Sequence, residues 1–93
     1  MKSNMRKYSA EERFKKKMKI LFKKDKKRYS ILLKKMGEIL SCDEVTHYKN
    51  LRAPLQHLRR VHIDSHFVLV FRYDDASDTV LFYDLDHHDT IYK

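Results

Sequence analysis

The sequence predicts an α+β fold: an N-terminal helical hairpin, about residues 10–40, lying on one face of a small twisted antiparallel sheet. Two observations carry that prediction. Apolar residues recur with the helical period through the first forty positions and with a period of two after about position 58. The later runs are separated by short turns, the spacing of an antiparallel meander. Gly and Pro occur once each, so breaks in the chain are few.

Ser9-Ala-Glu-Glu12 has the form of a capping box, with Ser9 as N-cap and Glu12 reaching back. Phe14, Met18, Leu21 and Phe22 then fall on one face of a helix over about 10–24. Asp25 lies in a break. Tyr29, Leu32, Leu33, Met36, Ile39 and Leu40 resume the period over about 26–40, and two such helices pack as a hairpin. Gly37, inside the second helix, costs ~1 kcal/mol relative to Ala and is read as a point of close packing. Residues 41–56 form a connector with Pro54 near its end.

In Arg59-Arg60-Val61-His62-Ile63, Val61 and Ile63 share one face of a strand and Arg60 and His62 the other. The run 66–73 is the strongest strand in the chain, Asp74–Asp78 a turn, and 79–83 a third strand. The hairpin covers one face of this sheet, which leaves the other to carry a site.

The length of 93 residues suits one domain. One cysteine, Cys42, excludes an internal disulfide framework and points to a reducing cytoplasm. No apolar run approaches the roughly 18 residues of a membrane span, and the charged N-terminus does not resemble a secretory signal. A soluble cytoplasmic protein is expected. The net charge of +8 is uneven: residues 1–40 hold 15 of the 21 Lys and Arg against four acids, and the remainder is net acidic. A basic half of this kind suits a polyanion such as RNA, or an acidic protein partner. Lysines on solvated helices would look the same.

Arg60 and His62 project together from their strand. A cation beside an imidazole can bind a phosphate and move a proton, although such a pair is often plain surface. Asp84-Leu85-Asp86-His87-His88-Asp89-Thr90-Ile91-Tyr92 adds two histidines, three acids and an aromatic just past the last strand. His and Asp are common metal ligands, so a metal site is one reading of this segment. Adjacent His87 and His88 point different ways in extended chain, and no HxxxH or CxxC spacing supports a cage, so a metal-free acid–base site with no cofactor is expected. His47 and His57 read as surface, Tyr8, Tyr29 and Tyr48 as core rim, and Tyr73 and Tyr83 as packing or edging the sheet. Cys42 follows a helix end with no evident base beside it.

From Tyr48 to Tyr92 the sequence resembles the RelE superfamily of toxins, and within it the YafQ-type branch. The stretches that carry the likeness are 48–55 (YKNLRAPL), 58–63 (LRRVHI), 67–73 (FVLVFRY) and 87–92 (HHDTIY), in that order and spacing. The resemblance implies a ribosome-dependent mRNA endoribonuclease, held inactive by a RelB- or DinJ-like antitoxin in a hetero-oligomer, with ribosome and mRNA as its other partners and no membrane. It puts Arg60 and His62 on the active-site strand. Lys49 stands where YafQ-type members place a histidine, His66 where they have an acid, and Phe67 where they have an aromatic. His88 is the late histidine or arginine and Tyr92 the closing aromatic. Val68 departs from RelE, which keeps an arginine there. The family opens with a strand, and residues 1–8 make a poor one, so a shorter sheet or an irregular first strand is expected.

RNA can be cut without a metal because its own 2′-OH can attack the neighbouring phosphate, given in-line geometry, a base, charge stabilisation and an acid. The expected roles are His66 or Lys49 near the 2′-OH, Arg60 on the phosphate, His62 assisting it or sharing the proton transfer, and His88 as acid. Tyr92 and Phe67 would stack on or position a base. Arg59 and Arg72 would add RNA contacts, and Lys15, Lys16, Lys23 and Lys24 would grip ribosomal RNA. The alternatives are a ParE-like toxin that poisons gyrase on the same fold, whose members generally lack this basic and histidine set, or a non-catalytic RNA- or ribosome-binding domain.

Overall fold

The computed structural model describes residues 5–91. In chain order the elements are β1 (Lys7–Ala10), α1 (Glu12–Lys24), α2 (Lys26–Ser41), a 3-10 turn (Val45–His47), β2 (Lys49–Asn50), β3 (Arg59–His62), β4 (Phe67–Asp74), β5 (Thr79–His87) and α3 (His88–Ile91). The strands form one sheet in the order β1-β5-β4-β3-β2. β3, β4 and β5 pair antiparallel as expected; β2, which lies in the predicted connector, adds antiparallel to β3, and β1 joins β5 in parallel, which makes the sheet mixed.

Alternation along β4 divides the interior in two. Leu69 and Phe71 face the helices and pack with Phe14, Leu21, Leu32, Ile39 and Leu40, and with Phe82 and Leu85 of β5. The Phe14 and Phe82 rings stack at 5.6 Å. Val68 and Val70 face the other way, into a smaller cluster with Leu51 and Leu58 that Tyr83 and Ile91 border. That second face carries the site.

Several local expectations are overturned. Ser9 is no N-cap: it sits in β1, paired with Leu81. The N-cap is Glu11, without a side-chain cap, and its backbone N–H donates to Phe82 O at 2.9 Å. Pairing with β5 takes the backbone a capping box would have used. β1 also forms where residues 1–8 made a poor strand. Arg6 fastens its start: Nε donates to Asp78 Oδ1 at 2.8 Å, and Nη1 to the Ile39 and Leu40 carbonyls at the end of α2.

Phe22 and Leu33, expected in the helical core face, are exposed. At 100° per residue, Phe22 points away from the flank that Leu21 buries. Asp25 does break the helices: its N–H caps α1 through Leu21 O, and its carboxylate accepts Arg28 N–H at 3.0 Å to start α2. Gly37 is not a close-packing point, because a Cβ there would meet nothing within 4 Å. The third predicted strand does not stop at Tyr83 but runs to His87.

Candidate active site

Strand alternation puts Val61 and Ile63 against the helices and Arg60 and His62 on the opposite, outer face. Register then supplies neighbours. Arg60 lies between Lys49 of β2 and Val70 of β4, and His62 lies opposite Val68. Lys49, Arg60 and His62 therefore share a face, since directly opposed residues do.

The chain brings His88 to them by a turn. β5 ends at His87, and the His88 N–H donates to His66 O at 2.6 Å as α3 begins. The His88 ring comes to 5.4 Å from the His62 ring, 27° from parallel. Beside them is a cleft of about 660 Å³ into which Arg60 and His88 face, with Leu51 and Ile91 along it and residues 52–55 as its lip. One imidazole and a guanidinium thus line the concavity, with the His62 ring stacked on His88 and Lys49 in register with Arg60, a set able to hold a phosphate and move protons around it.

The remaining predicted residues scatter. His66 stacks on His87, centroids 5.9 Å apart, rather than on the His62–His88 pair. His87, named from the sequence beside His88 but given no role of its own, stands in register opposite Phe67. Phe67 lies on the helix side, its ring covered by the Arg28 guanidinium at 4.2 Å and edge-on to His87. Alternation gives Val68 the outer position, so Phe67 is not brought to the cleft.

Arg59, also on the helix side, clamps the connector through Nη1 to Tyr48 O at 2.8 Å and to Thr46 O and Asn50 Oδ1 at 3.3 Å. Arg72 is exposed one pleat beyond Val70, in a separate hollow with Ser9, Asp74 and Thr79. Lys15, Lys16, Lys23 and Lys24 are exposed along α1. Tyr92 lies outside the described residues.

Asp64 holds the β3–β4 turn between His62 and His66. Its Oδ1 accepts the His66 and Phe67 N–H groups at 2.8 and 2.9 Å, and its Oδ2 accepts Arg28 Nε at 2.7 Å. Burial would raise its pKa, but the Arg28 hydrogen bond and the two amides outweigh that and lower it to about 2. Cys42, read as having no base nearby, has His47 Nδ1 3.7 Å from its sulfur. That nitrogen lies 2.6 Å from Glu44 O, which can only accept, so Nδ1 carries the proton and offers the thiol no lone pair. Among the described residues no three His, Cys, Asp or Glu side chains are placed to hold a metal ion, and no helix is long and apolar enough to cross a membrane.

A second concavity, about 560 Å³, lies on the helical hairpin among Met18, Phe22, Tyr29 and three lysines, Lys15, Lys19 and Lys23. Phe22 meets Tyr29 edge-on at 5.1 Å and carries the Lys26 ammonium over its other side. Ile20 and Leu33, also on the hairpin, are exposed.

No family model matches the chain. A Methanocaldococcus jannaschii protein named as a candidate toxin, RelE4, is 56% identical over 73 residues, covering 78% of this chain and 76% of its own. Among solved structures, Escherichia coli YafQ superposes with a TM-score of 0.65 at 18% identity, over 95% of this chain and 99% of that one. The Staphylococcus aureus YoeB dimer gives 0.76 at 15%, over 91% and 99%. YafQ in the E. coli DinJ–YafQ complex gives 0.65 at 19%, over 95% and 99%. The structures share the fold and the sequence relative shares the family: the chain belongs to the RelE superfamily of toxins.

Proposed function

We propose that this chain, acting as one domain, is the toxin of a toxin–antitoxin pair and cuts mRNA on the ribosome without a metal ion. One arrangement carries the reading: the His62 and His88 rings 5.4 Å apart beside the cleft that Arg60 and His88 line. Imidazole is the side chain whose ordinary pKa lets it give and take protons near neutrality. The two histidines therefore divide the proton work, one taking the 2′-OH proton and the other supplying the leaving 5′ oxygen, with His88 assigned as acid. The attacking 2′ oxygen displaces the 5′ oxygen at phosphorus, leaving a 2′,3′-cyclic phosphate and a 5′-OH. Arg60 holds the phosphate, whose geometry guanidinium matches. Lys49, opposite Arg60, adds an ammonium beside the phosphate. Tyr92 follows α3 and is assigned to positioning a nucleotide base.

The antitoxin is the partner that the hairpin groove suits. An apolar floor rimmed by lysines matches the apolar and acidic faces of an amphipathic helix. The lysines alone would serve ribosomal RNA, but phosphates gain nothing from Met18 and Phe22.

Incubation with translating ribosomes, followed by mapping of mRNA ends, tests the reading. Cuts within the open reading frame are expected, resistant to EDTA beyond the ribosome's own need for magnesium. A 2′-deoxy nucleotide at the cut site is expected to abolish cleavage, since the nucleophile is gone. His88→Ala is expected to lose toxicity in cells by at least about a hundredfold while still binding the antitoxin. Intact mRNA together with poisoned gyrase would hand the chain to the ParE-like reading.

A further inference from the structure

Cross-strand register carries two rows of side chains over the outer face to β5. One runs Lys49, Arg60, Val70, Asp84 and the other His62, Val68, Asp86. Directly opposed residues share a face, so two carboxylates lie on the substrate side. They are two strands from Arg60 and His62, roughly 10 Å at ordinary strand spacing. Two bare negative charges there would repel the backbone of an RNA approaching the imidazoles.

The N-terminal half of the chain answers this. β1 pairs with β5 only as far as Phe82, and the chain then turns into α1, which packs against β5. From α1, Lys17 Nζ donates to Asp84 Oδ1 at 2.8 Å and to Asp86 Oδ2 at 2.7 Å. Arg13 adds a guanidinium 3.9 Å from Asp84 Oδ2 and 4.8 Å over the Tyr83 ring. Each carboxylate also holds its own chain: Asp84 accepts the Leu85 N–H at 2.8 Å, and Asp86 the His87 N–H at 2.7 Å, one residue before His88. Burial works against both charged forms, but the mutual hydrogen bonds prevail, raising the pKa of Lys17 and lowering that of Asp86. The exposed lysines of α1 solvate the helix, whereas Lys17 is half-buried between two acids.

We propose that Lys17 is a positioning residue for the cutting reaction, cancelling the charge of Asp84 and Asp86 so that the RNA phosphates can cross this face to His62 and His88. The proposal rests on the nuclease reading, and it makes Lys17 act through charge compensation rather than by touching RNA.

The test is steady-state cleavage of ribosome-bound mRNA by wild type, Lys17→Met, Asp84→Asn/Asp86→Asn, and the triple variant, at two salt concentrations, with thermal melts of each. Lys17→Met is expected to raise KM about fivefold or more with little change in kcat, and the deficit relative to wild type should shrink at high salt as the exposed charges are screened. The triple variant, which removes the repulsion without restoring the tether, is expected within about twofold of wild type. The double variant, which keeps Lys17, should cut at least as well as wild type. A Lys17→Met protein that cuts normally overturns the proposal. So does a triple variant as impaired as the single, because Lys17 would then be only a structural tether. If Lys17→Met does not fold, the double variant decides, its loss of activity counting against the proposal. Wild-type protein that leaves mRNA intact, indistinguishable from His88→Ala, removes the nuclease reading itself; normal wild-type cutting with any of the other failures removes only the role of Lys17.

Discussion

At the residue scale, Asp64 joins two elements through three hydrogen bonds to its carboxylate. A single carboxylate closes the β3–β4 turn through two amides and ties it to α2 through Arg28. Its pKa is lowered from 3.8 to about 2, so the charged form belongs to the folded state. The resulting stability is fully present above the ordinary carboxylate range and is lost as pH falls from about 4 toward 2. Asp64→Asn is expected to cost roughly 1–2 kcal/mol at pH 7, with the gap to wild type narrowing below about pH 3. Urea unfolding at both pH values measures it, and a gap unchanged in acid would show that the carboxylate's charge contributes nothing. Arg60 and His62 were legible as one face from period-two alternation alone, whereas Lys49 joins them only through the pairing of β2 with β3. The loss of Phe67 from that face follows from the same rule, because Val68 fills the outer position beside it.

At the scale of elements, helices α1 and α2 were readable because their contacts repeat every few residues and leave a periodic trace. β1 left none. Lys7-Tyr8-Ser9-Ala10 is too short, with only Tyr8 and Ala10 apolar, to stand out as a strand, and its partner strand is some seventy residues away. Strand β5 outruns its sequence signal because Asp84 and Asp86 are poor strand formers; in the fold Lys17 compensates both. Gly37 is the test at this scale. With open space where its Cβ would stand, Gly37→Ala is expected to stabilise α2 by about 0.5–1 kcal/mol, raising the melting temperature by roughly 2–8 °C. Calorimetry checks it, and a lower melting temperature would mean the glycine has a packing role after all.

At the scale of the whole molecule, the two faces divide the work. The sheet's outer face gathers the imidazoles and guanidinium, and the hairpin presents an apolar groove amid the basic half of the chain. Ile20 and Phe22 are 55% and 48% exposed, so Ile20→Ser/Phe22→Ser is expected to fold and stay toxic. Its affinity for the antitoxin should fall at least about tenfold, the ordinary worth of an aromatic anchor. Calorimetric titration with the cognate antitoxin measures this, and unchanged affinity would place the antitoxin elsewhere.

The sequence by itself determined the class of fold, the basic hairpin and the shared face of Arg60 and His62, because each is written in spacing between near neighbours. Only the tertiary structure decided that His88 would stack on His62, that His66 would turn to His87, and that Lys17 would close over two acids of β5. Those pairings depend on strand register and on a parallel edge strand, contacts between residues far apart in the chain, and no local period records them.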